Sequence, residues 1–341
     1  MHVALIVNSL NAAGAERQVT YMTAGLVERG ERVTVLEARR GEHFADAVRA
    51  AGGELVTVGA RNRVDVVPVV RALRRLRADV AYGLNPDANA FALASGAPAV
   101  FGVRVTRLDL MPQDALGRAA IALQRRLAPR ARLIVANSHA AARELVGLGY
   151  PSDRVRVVPN GVDVRRFPAA TPAPRDGQLI ATAARLAPQK DPETFLRAAA
   201  LAARPGRRFA WFGVGPLREQ VERRAKELGV DLLMPGVRQD MAAAYAEMDV
   251  FTLTSAWGEA FSNSFAEALA SGLPCVVTDS GDHALAGEVA TIVPPRDPAA
   301  LAAAWDRAAA GDGPAWVRAN LGVDQMVART HELLLEVARE S

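Results

Sequence analysis

The stretch MDVFTLTSAWGEAFSNSFAEALASGLPCVVTD, residues 248–279, decides the fold class of this 341-residue chain. It predicts a buried strand at 248–254, a loop, a helix over Ser264–Ser271 and a second strand at 274–279. A glycine and a proline follow the predicted helix, as is common at helix ends. Strands that alternate with helices indicate a parallel sheet with both faces covered, so the stretch predicts an α/β fold.

Two glutamates stand in this stretch, Glu259 in the loop and Glu267 in the first turn of the predicted helix. Ser264 and Glu267 fit the S-x-x-E capping box, which any surface helix can carry. The loop leaves the carboxyl end of a strand, where doubly wound proteins bind their ligands. A second interpretation therefore places a phosphate on the backbone N–H groups around Asn263 and Ser264, with a carboxylate on each side for hydroxyl groups.

Length and composition limit the class of protein. A chain of 341 residues is typical of about two domains. Cys275 is the only cysteine, which excludes an internal disulfide and fits a reducing compartment. No stretch approaches the ~20 apolar residues of a spanning helix, and the opening MHVALIVNSL lacks the basic segment of a signal peptide. We expect a cytoplasmic protein.

Charge is distributed unevenly between the two halves of the chain. Residues 1–170 contain 24 Arg, no Lys and 15 acidic residues, whereas residues 171–341 contain 17 basic and 22 acidic residues. The excess of positive charge in the first half predicts either an anionic partner for that half or an arginine-rich solvated surface. Arginines mixed with apolar residues at 68–80 and 122–134 favour peripheral contact with an anionic membrane. Nucleic acid is disfavoured, because no recognised nucleic-acid motif accompanies the charge.

The remaining strands form two series separated by a proline-rich stretch that has linker composition. The first series is predicted at 2–8, 32–38, 54–58, 79–84, 98–103, 132–137 and 155–163, and the second at 178–184, 207–213, 231–236, 248–254, 274–279 and 290–295. We therefore predict two Rossmann-like, doubly wound domains, 1–165 and 166–322, which face each other across a ligand-binding cleft.

Two cations are predicted at the same edge of the second sheet as the glutamates. The segment ARLAPQK (184–190) follows the first strand of that domain and supplies Arg185 and Lys190. A guanidinium fork and a compact ammonium can together clamp a diphosphate. Lys190 is one of only two lysines among 39 arginines, so background composition does not explain it. The alternative is a surface turn with solvated charges.

Glycines punctuate two further loops. Gly213 in FGVGPLRE (212–219) begins an incomplete dinucleotide fingerprint whose third glycine position holds Arg218. This pattern indicates a tight strand-to-helix turn near a ligand. Gly14 stands directly before the first helix, where small residues let the backbone approach a phosphate.

Six motifs in order resemble a known family over essentially the whole chain. They are GAER (14–17), NS (137–138), VVPNGVD (157–163), ARLAPQK, GVGPLRE and the E-x7-E segment (259–267) that continues into ALASGLPCVVTD. Together they resemble the family 4 retaining glycosyltransferases, which have the GT-B fold. The sequence GEAFSN (258–263), in place of the usual EGFG, resembles a subgroup involved in surface-polysaccharide and exopolysaccharide assembly.

The resemblance implies roles for individual residues in binding a nucleoside-diphosphate sugar. Glu267 would bind the ribose hydroxyls, Arg185 and Lys190 would neutralise the diphosphate, and Glu259 would contact the donor sugar. Further donor contacts are implied for Ser262, Asn263 and Ser264 at the helix start, Gly236 and Val237 at the base, and Gly14 and Gly213 beside the nucleotide. Arg104 is the nearest candidate for a histidine that many members place near the donor sugar.

The resemblance also implies an activity and a domain organisation. The first domain would bind a glycan, polyprenyl-linked or other lipid-linked acceptor, and the second the donor, with UDP favoured and GDP next. Residues 323–341 would form a helix that returns to the first domain. Because the chain has no D-x-D pair, we predict that it needs neither a metal ion nor a cofactor.

Three alternatives remain open. Paired carboxylates also occur in glycosidases, although that interpretation leaves Arg185 and Lys190 unexplained. A sugar-nucleotide epimerase of GT-B-like fold would act on the nucleotide sugar without an acceptor. A non-catalytic nucleotide-sugar-binding protein would keep the same binding residues.

Overall fold

The computed structural model describes residues 1–11, 14–41, 43–61, 65–104, 115–168 and 177–340. The chain forms two compact units, one of Met1–Gly161 with Val323–Ser341 and one of Val162–Gly322. The second part of the predicted proline-rich linker, from residue 169, lies outside the described residues, as do parts of the loops predicted to follow the first and fifth strands.

A seven-stranded parallel sheet forms the centre of the first unit. Its strands are β1 (His2–Val7), β2 (Arg32–Glu37), β3 (Glu54–Thr57), β4 (Val80–Gly83), β5 (Ala99–Val103), β6 (Leu133–Ala136) and β7 (Val155–Val157). They are ordered β3-β2-β1-β4-β5-β6-β7, so the direction of winding reverses between β1 and β4. Ligands of doubly wound proteins bind outside the carboxyl ends at such a reversal.

Helices cover both faces of this sheet. They include α1 (Gly14–Glu28), α2 (Ala45–Ala50), α3 (Val66–Leu76), α4 (Pro86–Ala94), α5 (Ala115–Leu127) and α6 (His139–Gly147). Successive side chains of a strand point to opposite faces, so Leu5 packs in one core with Met22 of α1. The next residue, Ile6, packs in the other core with Phe91 of α4.

A six-stranded parallel sheet forms the centre of the second unit. Its strands are β8 (Gln178–Ala183), β9 (Arg207–Phe212), β10 (Leu232–Gly236), β11 (Val250–Leu253), β12 (Cys275–Thr278) and β13 (Thr291–Val293). They are ordered β10-β9-β8-β11-β12-β13. The reversal between β8 and β11 places the loops after these two strands side by side at one edge.

The second unit is also covered on both faces. Its helices are α7 (Pro192–Leu201), α8 (Arg218–Glu227), α9 (Met241–Ala246), α10 (Asn263–Ala270), α11 (Pro298–Trp305) and α12 (Gly313–Asn320). In one core Phe195 makes edge-on contacts with Trp211 and Trp305, at centroid distances of 5.4 and 5.8 Å. The other core contains Tyr245 and Phe265 and therefore underlies α9 and α10.

The last helix, α13 (Val323–Arg339), belongs to the first unit. Its Val327 packs so closely on α1 that a Cβ atom at Gly25 would lie 2.4 Å from Val327 Cγ1. Gly25 therefore allows the two helices to approach each other. Among the helices of the described residues, none is both long and apolar enough to cross a bilayer.

The predicted α/β, doubly wound fold is confirmed, and each predicted strand coincides with an observed one. The largest difference is at 155–163, where the strand ends at Val157. Pro159 follows and cannot donate a ladder hydrogen bond, which explains the early end.

Candidate functional site

The loops that follow β8, β9, β10 and β11 join into one surface at the carboxyl edge of the second sheet. Backbone hydrogen bonds connect each loop to its neighbour. They run from Leu186 N to Val214 O (3.1 Å), from Gly213 N to Gly236 O (2.8 Å) and from Ala256 N to Gln189 O (2.9 Å). The site residues on these loops are therefore held by the backbone as well as by their own contacts.

Glycine is required where these loops approach one another most closely. Gly213 has a φ of 137°, and a Cβ atom there would lie 2.2 Å from Ala184 O. Gly281, on the loop after β12, has a φ of 68°, and its Cβ would lie 2.2 Å from Glu259 O. Both conformations disfavour other residues, so the two glycines allow the site loops to pack together.

Glu259 and Lys190 form a shielded ion pair between the loops after β8 and β11. Their side chains are 7% and 16% exposed. Glu259 Oε1 accepts hydrogen bonds from Lys190 Nζ, from Ser255 Oγ at 2.7 Å and from Gln189 Nε2 at 3.3 Å. Glu259 Oε2 accepts none from a described residue. The carboxylate is thus fixed through one oxygen.

The surroundings keep Glu259 ionised. Burial raises the pKa of this carboxyl, but the charge of the Lys190 ammonium and the hydrogen bonds from Lys190 and Ser255 outweigh burial. The pKa of Glu259 therefore lies below its ordinary value. At neutral pH Glu259 is a hydrogen-bond acceptor and has no proton to donate.

His283 is a buried residue that packs under the loop and helix that hold Glu259 and Glu267. It is fully buried, and its Nδ1 lies 3.0 Å from Thr278 O, so Nδ1 donates to that carbonyl. The ring meets Phe261 and Phe265 edge-on, at centroid distances of 5.8 and 5.3 Å. Its Nε2 has no hydrogen-bond partner among the described residues. Burial lowers the pKa of His283, so the ring is neutral at physiological pH.

Glu267 lies in the second turn of α10, and its prediction as a first-turn, capping-box residue is wrong. The helix begins at Asn263, one residue before the predicted start, and no side chain caps it. The Glu267 side chain is instead directed toward α9, where Tyr245 Oη donates to its Oε2 at 3.0 Å. Only 8% of Glu267 is exposed. Tyr245 Oη also lies 3.2 Å from Ser264 O, so Glu267 takes part in a contact between α9 and α10 and does not cap its own helix.

The start of α10 faces the same edge as these carboxylates. Ser262 precedes the helix, and its Oγ lies 3.1 Å from Ser264 Oγ. The N–H of Ala266 is the first to bond within the helix, to Ser262 O at 3.0 Å. The N–H groups of the preceding turn lack intrahelical acceptors, as at every helix start, and favour an anion.

The other predicted donor-site residues are exposed along this edge. Arg185 is exposed and forms no hydrogen bond or ion pair with a described residue. Gly236 ends β10 with a φ of 79°. Val237 follows it, 70% exposed, and Val214 on the adjoining loop is 49% exposed. This part of the edge therefore offers a free cation and an apolar surface.

The first unit contains a polar cluster at the carboxyl edge of its own sheet. Arg104 follows β5 and donates to Asn160 Oδ1 at 2.7 Å, and Asn137 Nδ2 donates to Arg104 O at 3.2 Å. Burial raises the pKa of Glu16 on α1, whereas the charge of Arg104 lowers it. Gly14 is exposed at the start of α1. Arg104 is thus anchored by asparagines from two of the predicted motifs.

The described residues contain no group of three or more His, Cys, Asp or Glu side chains that could hold a metal ion. Metal independence remains a prediction.

Two protein-family models match the chain without overlapping. The model described as Glycosyltransferase Family 4 matches residues 12–166, and the model described as Glycosyl transferases group 1 matches residues 177–310. The chain belongs to glycosyltransferase family 4. Each match falls mainly within one structural unit, so the family resemblance found in the motifs is confirmed for both halves of the chain.

Two curated proteins that are similar to this family 4 chain are named for different activities. An exopolysaccharide phosphotransferase of Streptomyces coelicolor is 30% identical over 251 residues, which cover 71% of this chain and 26% of that protein. A GDP-mannose-dependent alpha-mannosyltransferase of Mycobacterium tuberculosis is 33% identical over 245 residues, 63% of this chain and 60% of that protein. The chain spans less than two thirds of either relative.

Among solved structures, Anabaena HepE in complex with UDP-glucose superposes with a TM-score of 0.83 at 18% identity, covering 98% of this chain and 100% of that chain. At this identity the likeness concerns the fold. The two parallel-sheet units and this likeness confirm the predicted GT-B fold.

The family 4 motifs drew attention to Glu259, Lys190 and Glu267, but sequence reasoning missed their partners. Ser255 lies in the quoted loop, four residues before Glu259, and its hydroxyl was a signal that could have been used. Tyr245 lies on α9, outside every motif, and nothing in its local sequence indicates a contact with Glu267. His283 lies after β12, beyond the last of the quoted motifs.

Proposed function

We propose that this chain is a retaining glycosyltransferase that moves a hexose-type sugar from a nucleoside-diphosphate sugar to an acceptor. The observation that carries the proposal is the combination at one sheet edge of a free arginine, a shielded lysine and two buried carboxylates. A nucleoside-diphosphate sugar presents a diphosphate to the cations and hydroxyl groups to the carboxylates.

In this proposal each part of the edge binds one part of the donor. Glu267, oriented by Tyr245, accepts from the ribose hydroxyls, and Glu259 accepts from a hydroxyl of the donor sugar. Arg185 and Lys190 hold the diphosphate. The remaining donor contacts are the start of α10 at Ser262, Asn263 and Ser264, the backbone and apolar surface at Gly236 and Val237, and the glycines Gly213 and Gly14.

The proposed reaction depends on stabilising the leaving nucleoside diphosphate. Arg185, Lys190 and the start of α10 supply positive potential where that charge develops. The acceptor hydroxyl attacks the face from which the diphosphate departs, so the anomeric configuration is retained, and the donor phosphate receives the acceptor proton. Because the protein's own cations neutralise the diphosphate, no metal ion or cofactor takes part.

A glycosidase is disfavoured because it leaves Arg185 and Lys190 without a role, and Glu259 does not supply the acid that it needs. Glycosidases need one carboxyl group whose pKa is raised so that it can protonate the leaving oxygen. Lys190 instead lowers the pKa of Glu259. The pKa of Glu259 does not distinguish a glycosyltransferase from a sugar-nucleotide epimerase or from a non-catalytic nucleotide-sugar-binding protein. A turnover assay distinguishes these three.

The choice of donor draws on the named relatives. Anabaena HepE was solved with UDP-glucose, and the Mycobacterium tuberculosis relative is named for GDP-mannose. We favour a UDP-sugar, with a GDP-sugar next. The exopolysaccharide name of the Streptomyces coelicolor relative supports a glycan or lipid-linked acceptor and a role in polysaccharide biosynthesis.

The first unit is proposed to bind the acceptor, with Arg104 as a contact for the donor sugar or the acceptor. We also propose that its helices α3 and α5 contact an anionic membrane at the cytoplasmic face. Val67 is 66% exposed on α3, and Leu116 is 50% exposed on α5. Arg71 and Arg75 on α3 are exposed and form no ion pair with a described residue.

An acceptor-dependent turnover assay tests the proposed activity. The protein would be incubated with a panel of UDP- and GDP-sugars, with and without polyprenyl-diphosphate-linked glycans, and the released nucleotide and the glycosylated product would be measured. A transferase releases nucleotide and extends the acceptor. An epimerase converts the donor without an acceptor, and a binding protein does neither.

A further inference from the structure

The ion pair between Lys190 and Glu259 has a consequence for ligand binding. The proposed diphosphate ligand of Lys190 is an anion, and so is Glu259. Both side chains are largely shielded from water, which strengthens the interaction between charges. A diphosphate that binds Lys190 therefore shares its cation with Glu259 and is repelled by the Glu259 carboxylate.

The two oxygens of Glu259 have different surroundings. Oε1 accepts from Lys190, Ser255 and Gln189, whereas Oε2 accepts no hydrogen bond from a described residue. A hydroxyl group that donates to Oε2 would stabilise the carboxylate while Lys190 turns toward a phosphate. A free nucleoside diphosphate has no sugar to supply that hydroxyl.

We infer that Glu259 is a selectivity residue that weakens the binding of free nucleoside diphosphate relative to the intact sugar nucleotide. Glu259 weakens the binding of any diphosphate at Lys190. Only a ligand with a sugar hydroxyl offsets this effect, by donating a hydrogen bond to Glu259. Once the sugar has been transferred, this compensation is lost. Glu259 therefore promotes release of the nucleotide product as well as recognition of the donor. This inference rests on the proposed function.

The test compares the affinities of UDP and UDP-glucose for the wild-type protein and the Glu259→Gln variant by calorimetry. GDP and GDP-mannose replace them if the wild-type protein binds GDP. Glutamine has the same shape without the charge, so UDP should bind E259Q at least about fivefold more tightly, because removing a buried anion relieves its repulsion. UDP-glucose should gain less or lose affinity.

Two controls separate this effect from a general change in charge. Glu193→Gln removes an exposed carboxylate from α7 of the same unit and should leave the affinity for UDP unchanged. In a Lys190→Gln background there is no cation to share, so Glu259→Gln should tighten UDP binding by a smaller factor, through relief of the direct repulsion alone. If E259Q fails to fold, Glu259→Asp keeps the charge but draws the carboxylate back from Lys190, and it should also tighten UDP binding, by less.

Unchanged or weaker UDP binding by folded E259Q would overturn the inference, as would a tightening that is undiminished in the Lys190→Gln background. If the wild-type protein binds neither UDP nor GDP, the proposed function fails together with this inference. Wild-type binding without the predicted tightening removes only the inference.

Discussion

Tyr245 Oη donates a hydrogen bond to Glu267 Oε2 at 3.0 Å and thereby fixes a carboxylate of α10 from the neighbouring helix α9. Both residues are largely buried, so water does not compete strongly for this bond. The contact orients the carboxylate that we propose binds the ribose.

Replacing Glu267 should therefore weaken nucleotide binding strongly. Glu267→Ala removes charged hydrogen bonds worth roughly 1.5–3 kcal/mol each, so the affinity for UDP or GDP should fall at least about tenfold. Tyr245→Phe keeps the carboxylate but loosens it and should have a smaller effect. Tyr150→Phe, which removes a similar hydroxyl contact to Gln124 in the first unit, is the matched control and should have no effect. Unchanged UDP and GDP affinity in E267A would remove the assignment.

Lys190 and Arg185 should differ in their effects on stability. Lys190→Gln leaves Glu259 shielded without its cation and should lower the free energy of unfolding by about 3 kcal/mol. Exposed Arg185 has no partner among the described residues, so Arg185→Gln should change stability by less than about 0.5 kcal/mol. Both variants should weaken diphosphate binding.

Urea unfolding of K190Q, E259Q and the double variant would measure this coupling. We expect the double variant to be more stable than K190Q, because the uncompensated charge is gone. If the decrease in unfolding free energy of the double variant equals the sum of the decreases in the two single variants, the residues are not coupled and the ion pair is contradicted.

His283 should make stability depend on pH. Burial lowers its pKa in the native state below the ordinary value of 6.5, so the unfolded chain binds a proton that the native ring does not. This contribution to stability is present above pH 6.5 and is lost as the pH falls, by up to about 1.4 kcal/mol per pH unit until the native pKa is reached.

The variant His283→Asn retains a donor for Thr278 O but does not titrate in this range. Unfolding free energies measured between pH 7.5 and 5.5 should fall more steeply for the wild-type protein than for H283N. Glu259, whose native pKa is also lowered, contributes its own loss at lower pH, below about 4.5. Parallel pH profiles for the two proteins would contradict the assignment of His283 as a buried neutral ring.

The proposed membrane contact can be tested with vesicles. Binding to vesicles containing anionic lipid at physiological salt should weaken roughly 30-fold in the double variant R71Q/R75Q, since each basic residue near such a surface contributes ~1 kcal/mol. R29Q/R329Q removes one arginine directly after α1 and one from α13, on the other face of the first sheet, and should bind nearly as well as the wild-type protein. Equal weak binding of the wild-type protein to neutral and anionic vesicles would defeat the proposal.

The fold could be predicted from the sequence because its signals are local. Buried parallel strands are continuous apolar runs, and glycine or proline follows most of the helices before the next strand. The loop holding Glu259 could be placed for the same reason, since a loop after a parallel strand must lie at the carboxyl edge.

The detailed site could not be predicted, because its contacts join residues distant in sequence. The S-x-x-E pattern suggested a cap for Glu267, but a partner on α9 determines the direction of that side chain. Likewise, the sequence identifies Lys190 as a cation at this edge, but its pairing with Glu259 depends on how the loops after β8 and β11 pack. Tertiary packing therefore determines the direction of the Glu267 side chain, which the local pattern predicted wrongly, and the pairing of Lys190, which the local pattern did not predict.

The measurement that tests the central claim most directly is calorimetric titration of the purified protein with UDP, GDP and NAD in the presence of EDTA. We predict saturable binding of UDP or GDP, because the cations and carboxylates of the site suit a nucleoside diphosphate and need no metal. We predict no binding of NAD, because the dinucleotide fingerprint is incomplete at Arg218. Binding of NAD alone, or failure of both UDP and GDP to bind, would contradict the account.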